Sequence, residues 1–417
     1  MKHPRTKLSV AIACGGTGGH LFPGLAIAEE LLHHDCEVTL LVSAKEVDQR
    51  VVKNVCGMEV VTLPAIGLQA GNPGEFIKCF WHSYKVSRNS FRNNPPRAVL
   101  AMGGFTSAPP ILASKHFKAA TFIHEANTIP GRANRWLSPW VDEAFVYFPE
   151  SAPRLSNSSV SVIGMPVRCQ FQPMEASTCR MALGLAPQHP TILVMGGSQG
   201  AESINQLMID VARRLAAKLP ALQFLHLTGP GDIERVRKAY AAGQQKAVVQ
   251  PFLTEMELAL GAATVAVSRA GASSLAELAA MQLPAILIPY PSAADDHQFY
   301  NARAFAEAGA ARMVGQKTVT PEILADLITG LVCNAKEREH IRAVLRQRHV
   351  PDAAARIAER ILNVIRHGDT VSAKAIGPRE KTPTELEDNA GSKEPPNQKS
   401  QPCMVSARPT LDTWNLK

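Results

Sequence analysis

Two glycine turns constrain this chain more than any other feature. Gly15-Gly16-Thr17-Gly18-Gly19-His20 follows an apolar run at 8–14, and Gly196-Gly197-Ser198-Gln199-Gly200 follows another at 191–195. Each leads into an amphipathic helical stretch. A strand that ends in glycines and feeds a helix turns backbone N–H groups outward at the positive end of the helix dipole. The missing side chains let a diphosphate or a sugar come close. Two such turns, each opening a βα series, predict two Rossmann-like domains with parallel sheets facing each other across a cleft, an α/β fold.

Apolar runs alternate with helical patterns at 8–14, 37–43, 58–63, 97–102, 119–124 and 143–148, then again at 191–195, 222–227, 246–249, 264–267 and 285–289. Near-continuous apolar strands separated by helices belong to parallel sheets covered on both faces. The boundaries predicted are an N-terminal domain over 1–164, a linker over 165–190 that opens with Gly164-Met165-Pro166-Val167-Arg168, and a C-terminal domain over 191–350. A last helix over 351–367 is placed to return to the first domain. From 368 to 417 Lys, Glu, Pro, Ser and Asn dominate, and such a segment buries too little surface to offset its ordering entropy. It reads as a disordered tail.

With 417 residues, 46% of them hydrophobic, the chain can fill two cores. No stretch approaches the roughly 20 apolar residues of a membrane span. The basic start is followed by a short apolar run that ends in a glycine loop, so no signal peptide is read. Eight cysteines without a C-x-x-C pair or a His/Cys metal spacing fit reduced thiols in a cytoplasm. The net charge of +8 suits an anionic partner, an acidic lipid surface or a phosphorylated substrate. Nucleic acid is not expected, because no zinc-finger, RRM-like or basic-helix pattern is present.

Ser268-Arg269-Ala270-Gly271-Ala272-Ser273-Ser274-Leu275-Ala276-Glu277 follows a strand and opens a helix. Its small residues admit a phosphate to the backbone, and Glu277, one turn in, suits a vicinal ribose diol and not a 2′-phosphate. Asp295-Asp296-His297-Gln298, then Asn301, form a polar cluster at another strand-to-helix junction, where the plainer reading is N-capping by Asp295. The turns do not read G-x-G-x-x-G, which disfavours a dinucleotide dehydrogenase.

In order along the chain, GGTGGHLFPGLAIAEEL, GGFTSAPP, HEANTIPGRAN, GMPVR, GGSQGA, SRAGASSLAELAAMQLPAILIPYP and DDHQFYNA resemble the MurG family of peptidoglycan glycosyltransferases. The resemblance implies a GT-B fold and inverting transfer of N-acetylglucosamine (GlcNAc) from UDP-GlcNAc to the C4 hydroxyl of the muramoyl sugar of lipid I. The products would be lipid II and UDP, with no cofactor and with cell-wall synthesis proteins as further partners. Carried onto this sequence, the donor site comprises Arg168, Ser198, Leu253, Ala272, Ser273, Ser274, Leu275, Ala276, Glu277 and Gln298. Leu253 would meet the uracil edge, with Phe252 over the nucleotide. Thr17, Gly18, Gly19 and Asn127 would reach the transferred sugar and the acceptor.

The chemical step needs a base for the acceptor hydroxyl, and the sequence offers two, His20 and Glu125. No Asp-x-Asp motif stands at a strand end, so helix N-termini, backbone amides and Arg168 would stabilise the leaving charge without a required metal. Phe105 and Ala126 depart from the family pattern, which has tyrosine and glutamine there. The alternatives are another UDP-sugar GT-B enzyme (a glycolipid synthase or a UDP-GlcNAc epimerase) or a non-catalytic nucleotide-sugar-binding subunit that recruits partners to the membrane.

A polyprenyl acceptor implies work at a membrane surface. Phe76, Ile77, Phe80, Trp81 and Tyr84 fall at helical spacing among Lys78, Lys85, Arg88 and Arg92. This resembles an interfacial amphipathic helix on anionic lipid, and it predicts a peripheral protein on the cytoplasmic face of the cell membrane. The competing reading packs the same aromatics on the sheet.

Overall fold

The computed structural model describes residues 7–374 apart from 17, 54, 68–71, 198 and 199, with side chains as far as 367 except that of Val47. The calls on Thr17 and Ser198 therefore lie outside the described residues. In the first half the chain runs β1 (Ser9–Ala13), α1 (Gly18–His33), β2 (Glu37–Ser43), α2 (Glu46–Val52), β3 (Glu59–Leu63), α3 (Pro73–Asn93), β4 (Ala98–Ala101), α4 (Ala108–Ser114), β5 (Ala120–Glu125), α5 (Arg132–Leu137), β6 (Glu143–Val146) and β7 (Val160–Val162). It continues with α6 (Ala176–Ala182), β8 (Thr191–Met195), α7 (Glu202–Lys218), β9 (Gln223–Leu227), α8 (Ile233–Ala242), β10 (Lys246–Gln250), α9 (Met256–Ala262), β11 (Val265–Ser268), α10 (Ala272–Ala280), β12 (Ala285–Leu287), α11 (His297–Glu307), β13 (Arg312–Met313), α12 (Pro321–Cys333), α13 (Ala335–Arg348) and α14 (Ala353–Lys374).

The strands form two sheets, ordered β3-β2-β1-β4-β5-β6-β7 and β10-β9-β8-β11-β12-β13. Every pairing is parallel. Both contain the doubly wound order, in which the winding reverses between the first and fourth strands and opens a crevice beyond their carboxyl ends. Here those switch points lie between β1 and β4 and between β8 and β11. β1 is central: Ile12 stands opposite Leu40 on one side and Leu100 on the other, all fully buried.

Apolar clusters cover both faces of the first sheet, and a third surrounds the second. Ile357, Ile361, Leu362 and Ile365 of α14 join the cluster of Val10, Ile12 and Leu40. Their helical spacing presents one apolar stripe, and each such buried side chain contributes about 1.5 to 3 kcal/mol. The end of the chain is thereby anchored on the first sheet.

Three local features go beyond what the sequence pattern indicated. The stretch 165–190 holds α6, which packs on α9, with the Cys179 thiol 2.8 Å from the position a Cβ would take on Gly261. Two edge strands, β7 and β13, went unpredicted. Finally, α14 runs on to Lys374, past the expected start of the tail at 368, and 375–417 lie outside the described residues.

Candidate functional site

The carboxyl ends of β1, β4, β8 and β11 converge on one cavity of about 1890 Å³. Gly18, Gly19, His20, Gly104 and Phe105 line it from the first sheet; Met195, Gly197, Gly271, Ser274 and Glu277 line it from the second. Both turns legible in the sequence thus open into the same space.

His20 sits two residues into α1, half-buried, against the loop that follows β4. Gly103 and Gly104 adopt φ of +105° and +75°, and a Cβ on either would stand 3.1 or 3.0 Å from the imidazole. Glycine is required there on both counts, and the Ser107 hydroxyl accepts from the Gly103 N–H at 3.0 Å to fix the seat. Burial pushes the imidazole down to about 4, against the pull of the Asp48 carboxylate; His124, His297 and Lys45 lower it further. At neutral pH it is in the proton-accepting form.

Glu125 ends β5 and is 2% exposed. One oxygen accepts from the Asn127 N–H (2.8 Å) and side-chain amide (3.2 Å), the other from the Gly131 N–H and the Asn134 amide, both at 2.9 Å. Burial raises its pKa and these donors oppose the rise. The carboxylate is committed to holding the 126–134 loop and is not among the cavity-lining residues, whereas His20 is.

On the facing wall α10 begins at Ala272 with Gly271 as N-cap and no side-chain capping bond. Its first N–H groups have no intrahelical carbonyl to bond. Glu277 faces the cavity from the next turn, and burial raises its carboxyl to about 7, with Arg168 opposing and Glu257 reinforcing the shift. The Arg168 guanidinium lies between the rings of Phe22 (4.6 Å) and Phe171 (5.0 Å), and its buried Nε has no hydrogen-bond partner among the described residues. Leu253, Phe252, Ala272, Ser273 and Gln298 line the cavity too. Leu275 and Ala276 do not: helical periodicity turns both into the core, 0% and 3% exposed. Gln298 uses its side-chain carbonyl to accept from the N–H groups of Ala270 (3.3 Å) and Tyr290 (3.1 Å).

Side chains from the two halves meet directly. Asn301, fully buried, accepts from the Thr128 N–H and hydroxyl (2.9 Å each) and donates to Asn127 Oδ1 (3.0 Å) and the Ala270 carbonyl (3.2 Å). Asn127 lines the cavity with its polar atoms shared between Glu125 and Asn301. Asp295 does not cap α11: the N-cap is Asp296, in left-handed conformation at φ +51°, and Asp295 pairs with Arg135 at 2.6 Å.

The aromatics of α3 form a chain of ring contacts, tilted between Phe76 and Phe80 and edge-on from Phe80 to Trp81 to Tyr84. The buried stripe of this helix is Ser83, Ser87 and Phe91, so Ile77 and Trp81 remain 55% exposed each and line the cavity rim with Phe76 and Phe80. Lys78, Lys85 and Arg92 are exposed beside them. Phe105, in place of a phenol, receives the Lys45 ammonium over its ring at 5.0 Å, and Ala126 lines the cavity without an amide.

Sequence reasoning missed Asp48, Lys45, Thr106 and Asn134. Thr106 donates to the Gly15 carbonyl from 91 positions away, and Asn134, on the helix that follows β5, donates to the His124 carbonyl. Both lie inside motifs legible in the sequence, Thr106 in GGFTSAPP and Asn134 at the end of HEANTIPGRAN, whereas Lys45 and Asp48 fall in no such motif.

Two doubly wound halves that share a cavity at both switch points, one presenting a half-buried histidine and the other an uncapped helix end with a carboxylate, define a GT-B glycosyltransferase. Residues 10–146 match the glycosyltransferase family 28 N-terminal domain and 191–357 its C-terminal domain. A Syntrophotalea carbinolica protein named UDP-N-acetylglucosamine--N-acetylmuramyl-(pentapeptide) pyrophosphoryl-undecaprenol N-acetylglucosamine transferase is 38% identical over 363 residues, 86% of this chain and 99% of its own. A Myxococcus xanthus protein of the same name is 34% identical over 391 residues, 92% and 98% of the two chains. The crystal structure of Acinetobacter baumannii MurG superposes with a TM-score of 0.68 at 26% identity, covering 86% of this chain and 99% of that one. The chain belongs to glycosyltransferase family 28 and, within it, to the MurG enzymes. A Neisseria meningitidis UDP-GlcNAc 2-epimerase shares the fold alone, with a TM-score of 0.62 at 14% identity over 85% of this chain and all of that one.

Proposed function

We propose that this protein transfers GlcNAc from UDP-GlcNAc to the C4 hydroxyl of the muramoyl sugar of lipid I, with inversion, releasing UDP and forming lipid II. The observation that carries this reading is the placement of His20 and Glu277 on opposite walls of one cavity. Glu277 accepts the two ribose hydroxyls, the hydrophobic edge of Leu253 and Phe252 receives the uracil, and the N–H groups that open α10 receive the diphosphate. His20 takes the proton of the acceptor C4 hydroxyl as its oxygen bonds to the anomeric carbon and the bond from that carbon to the UDP oxygen breaks. Arg168 and the α10 N-terminus meet the charge that builds on the departing diphosphate. Glu125 positions Asn127 through two hydrogen bonds and stays out of the proton transfer.

No helix among the described residues is long and apolar enough to cross a membrane. The exposed aromatic face of α3, rimmed by Lys78, Lys85 and Arg92, instead rests on the cytoplasmic face of the membrane and leads the acceptor headgroup into the cavity. The test of the whole reading is transfer of radiolabelled GlcNAc from UDP-GlcNAc to a short-chain lipid I analogue. UDP release that depends on the acceptor supports it; donor binding without transfer overturns it.

A further inference from the structure

The first glycine turn is held from three sides. Thr106 donates to the Gly15 carbonyl at 2.8 Å, Lys45 donates to the Gly16 carbonyl at 3.0 Å, and the Gly16 N–H donates to Asp48 Oδ2 at 2.6 Å. That carboxylate oxygen also accepts from the Ser43 N–H (3.1 Å) and hydroxyl (2.5 Å). Asp48 is 0% exposed, and its second oxygen, also buried, has no hydrogen-bond partner among the described residues. Three donors converging on one oxygen suit the ionised form, whereas an unshared second oxygen in a buried place is a cost that a purely structural cap would not need.

His20 becomes a cation when it takes the acceptor's proton. The charged and titratable groups whose fields act on it are Asp48 on α2, Lys45 just before α2, His124 on β5 and His297 on α11. Lys45 and the two histidines oppose an imidazolium there; the Asp48 carboxylate favours one. Both roles of Asp48 therefore point at the same event, since the oxygen that fixes Gly16 belongs to the anion that steadies the charge on His20.

We propose that Asp48 is the positioning residue of the first glycine turn and the buried counter-charge of the base, fixing Gly16 and stabilising the imidazolium formed at His20 during transfer. The proposal rests on His20 acting as base and adds to it a second, hidden member. An asparagine at 48 can still accept from the Gly16 N–H but brings no charge, whereas a serine, one bond shorter, brings neither the charge nor the reach.

Asp48→Asn and Asp48→Ser separate the two readings. The expected result is a fall in kcat of at least about tenfold with the affinity for UDP unchanged within about twofold, and recovery of most of the loss in Asp48→Glu. Carbethoxylation of His20 at pH 7, followed by peptide mass spectrometry, supplies a readout that loosening of the turn moves the other way. Loss of the counter-charge makes the imidazole a weaker nucleophile and slows the reaction severalfold; a loosened turn exposes His20 and speeds it. Faster carbethoxylation, an unchanged kcat, or failure of both neutral variants to fold would each overturn the proposal. His20→Ala is assayed alongside: substantial turnover in that variant defeats the base assignment itself, whereas an inactive His20→Ala beside a fully active Asp48→Asn defeats this inference alone.

Discussion

The Ser273 hydroxyl donates to the Gly19 carbonyl at 3.2 Å, joining α10 of one half to the first turn of α1 in the other. Pro23 leaves that carbonyl open. In an α-helix the N–H of residue 23 would bond the carbonyl of residue 19, and proline has none. An interior proline in an otherwise apolar, well-packed helix thus sets up a contact between the halves. Ser273→Ala removes one neutral hydrogen bond, about 0.5 to 1.5 kcal/mol, so kcat/KM should fall by about two- to tenfold. Pro23→Ala returns the competing donor and should lower kcat/KM in the same direction while raising the melting temperature. A Pro23→Ala enzyme that gains stability without losing activity would show that the contact has no part in turnover.

Donor binding should depend on pH through Glu277. Its carboxyl is raised to about 7 in the empty site, and ribose hydroxyls bond best to the ionised form. Affinity for UDP-GlcNAc should therefore strengthen as pH rises through about 7 and weaken below it, as calorimetry at pH 6, 7 and 8 would reveal. Glu277→Ala should abolish this dependence and cost about 1.5 to 3 kcal/mol of donor binding. A wild-type affinity that is flat with pH would remove Glu277 from the ribose.

Two other groups report on the interior. His124 and His226 are fully buried, and burial pushes their imidazoles down to about 4 and about 3. Between their folded values and the unfolded value near 6.5 only the unfolded chain takes up protons. Their contribution to stability is thus present above about 6.5 and lost as pH falls, by up to about 1.4 kcal/mol per unit for each. Histidine NMR should show neither ring titrating between pH 8 and 5; a midpoint near 6.5 for either would contradict the burial assigned to it. Glu277, shifted upward, acts with the opposite sign between about 4.5 and 7, so the net acid loss should be steepest below that window.

The α3 surface makes its own prediction. Binding to anionic vesicles should weaken with salt as Lys78, Lys85, Arg88 and Arg92 are screened, leaving a salt-resistant part from the exposed aromatics. Phe80→Ser/Trp81→Ser should lose that remainder and keep its circular dichroism, because Trp81 stands outside the core. Unfolding of the double variant would move the docking surface elsewhere.

The strand pattern and both glycine turns were legible because parallel strands buried on both faces write themselves as continuous apolar runs. β7 and β13 were not: they are three and two residues long, and at the first sheet's edge Val162 is 56% exposed, so no run accumulates. Leu275 and Ala276 read as site residues because the motif is contiguous, yet a helix presents only part of any segment to one side. Glu125 and His20 could not be ranked from sequence, since the spacing of Asn127, Gly131 and Asn134 does not reveal that their donors fold back onto the carboxylate. Asp48 was invisible for the same reason, lying 32 positions from the Gly16 N–H it accepts.

In the proposed mechanism His20 removes the acceptor proton while Glu125 only shapes its loop. Single-turnover transfer from radiolabelled UDP-GlcNAc to a soluble lipid I analogue, with donor saturating, measures the chemical step in His20→Ala and Glu125→Gln side by side. A loss of roughly a hundredfold or more is expected for His20→Ala with UDP affinity intact, and a smaller loss for Glu125→Gln, whose amide can still accept some of the loop's hydrogen bonds. A nearly silent His20→Ala beside a dead but folded Glu125→Gln would contradict this mechanism and exchange the two roles.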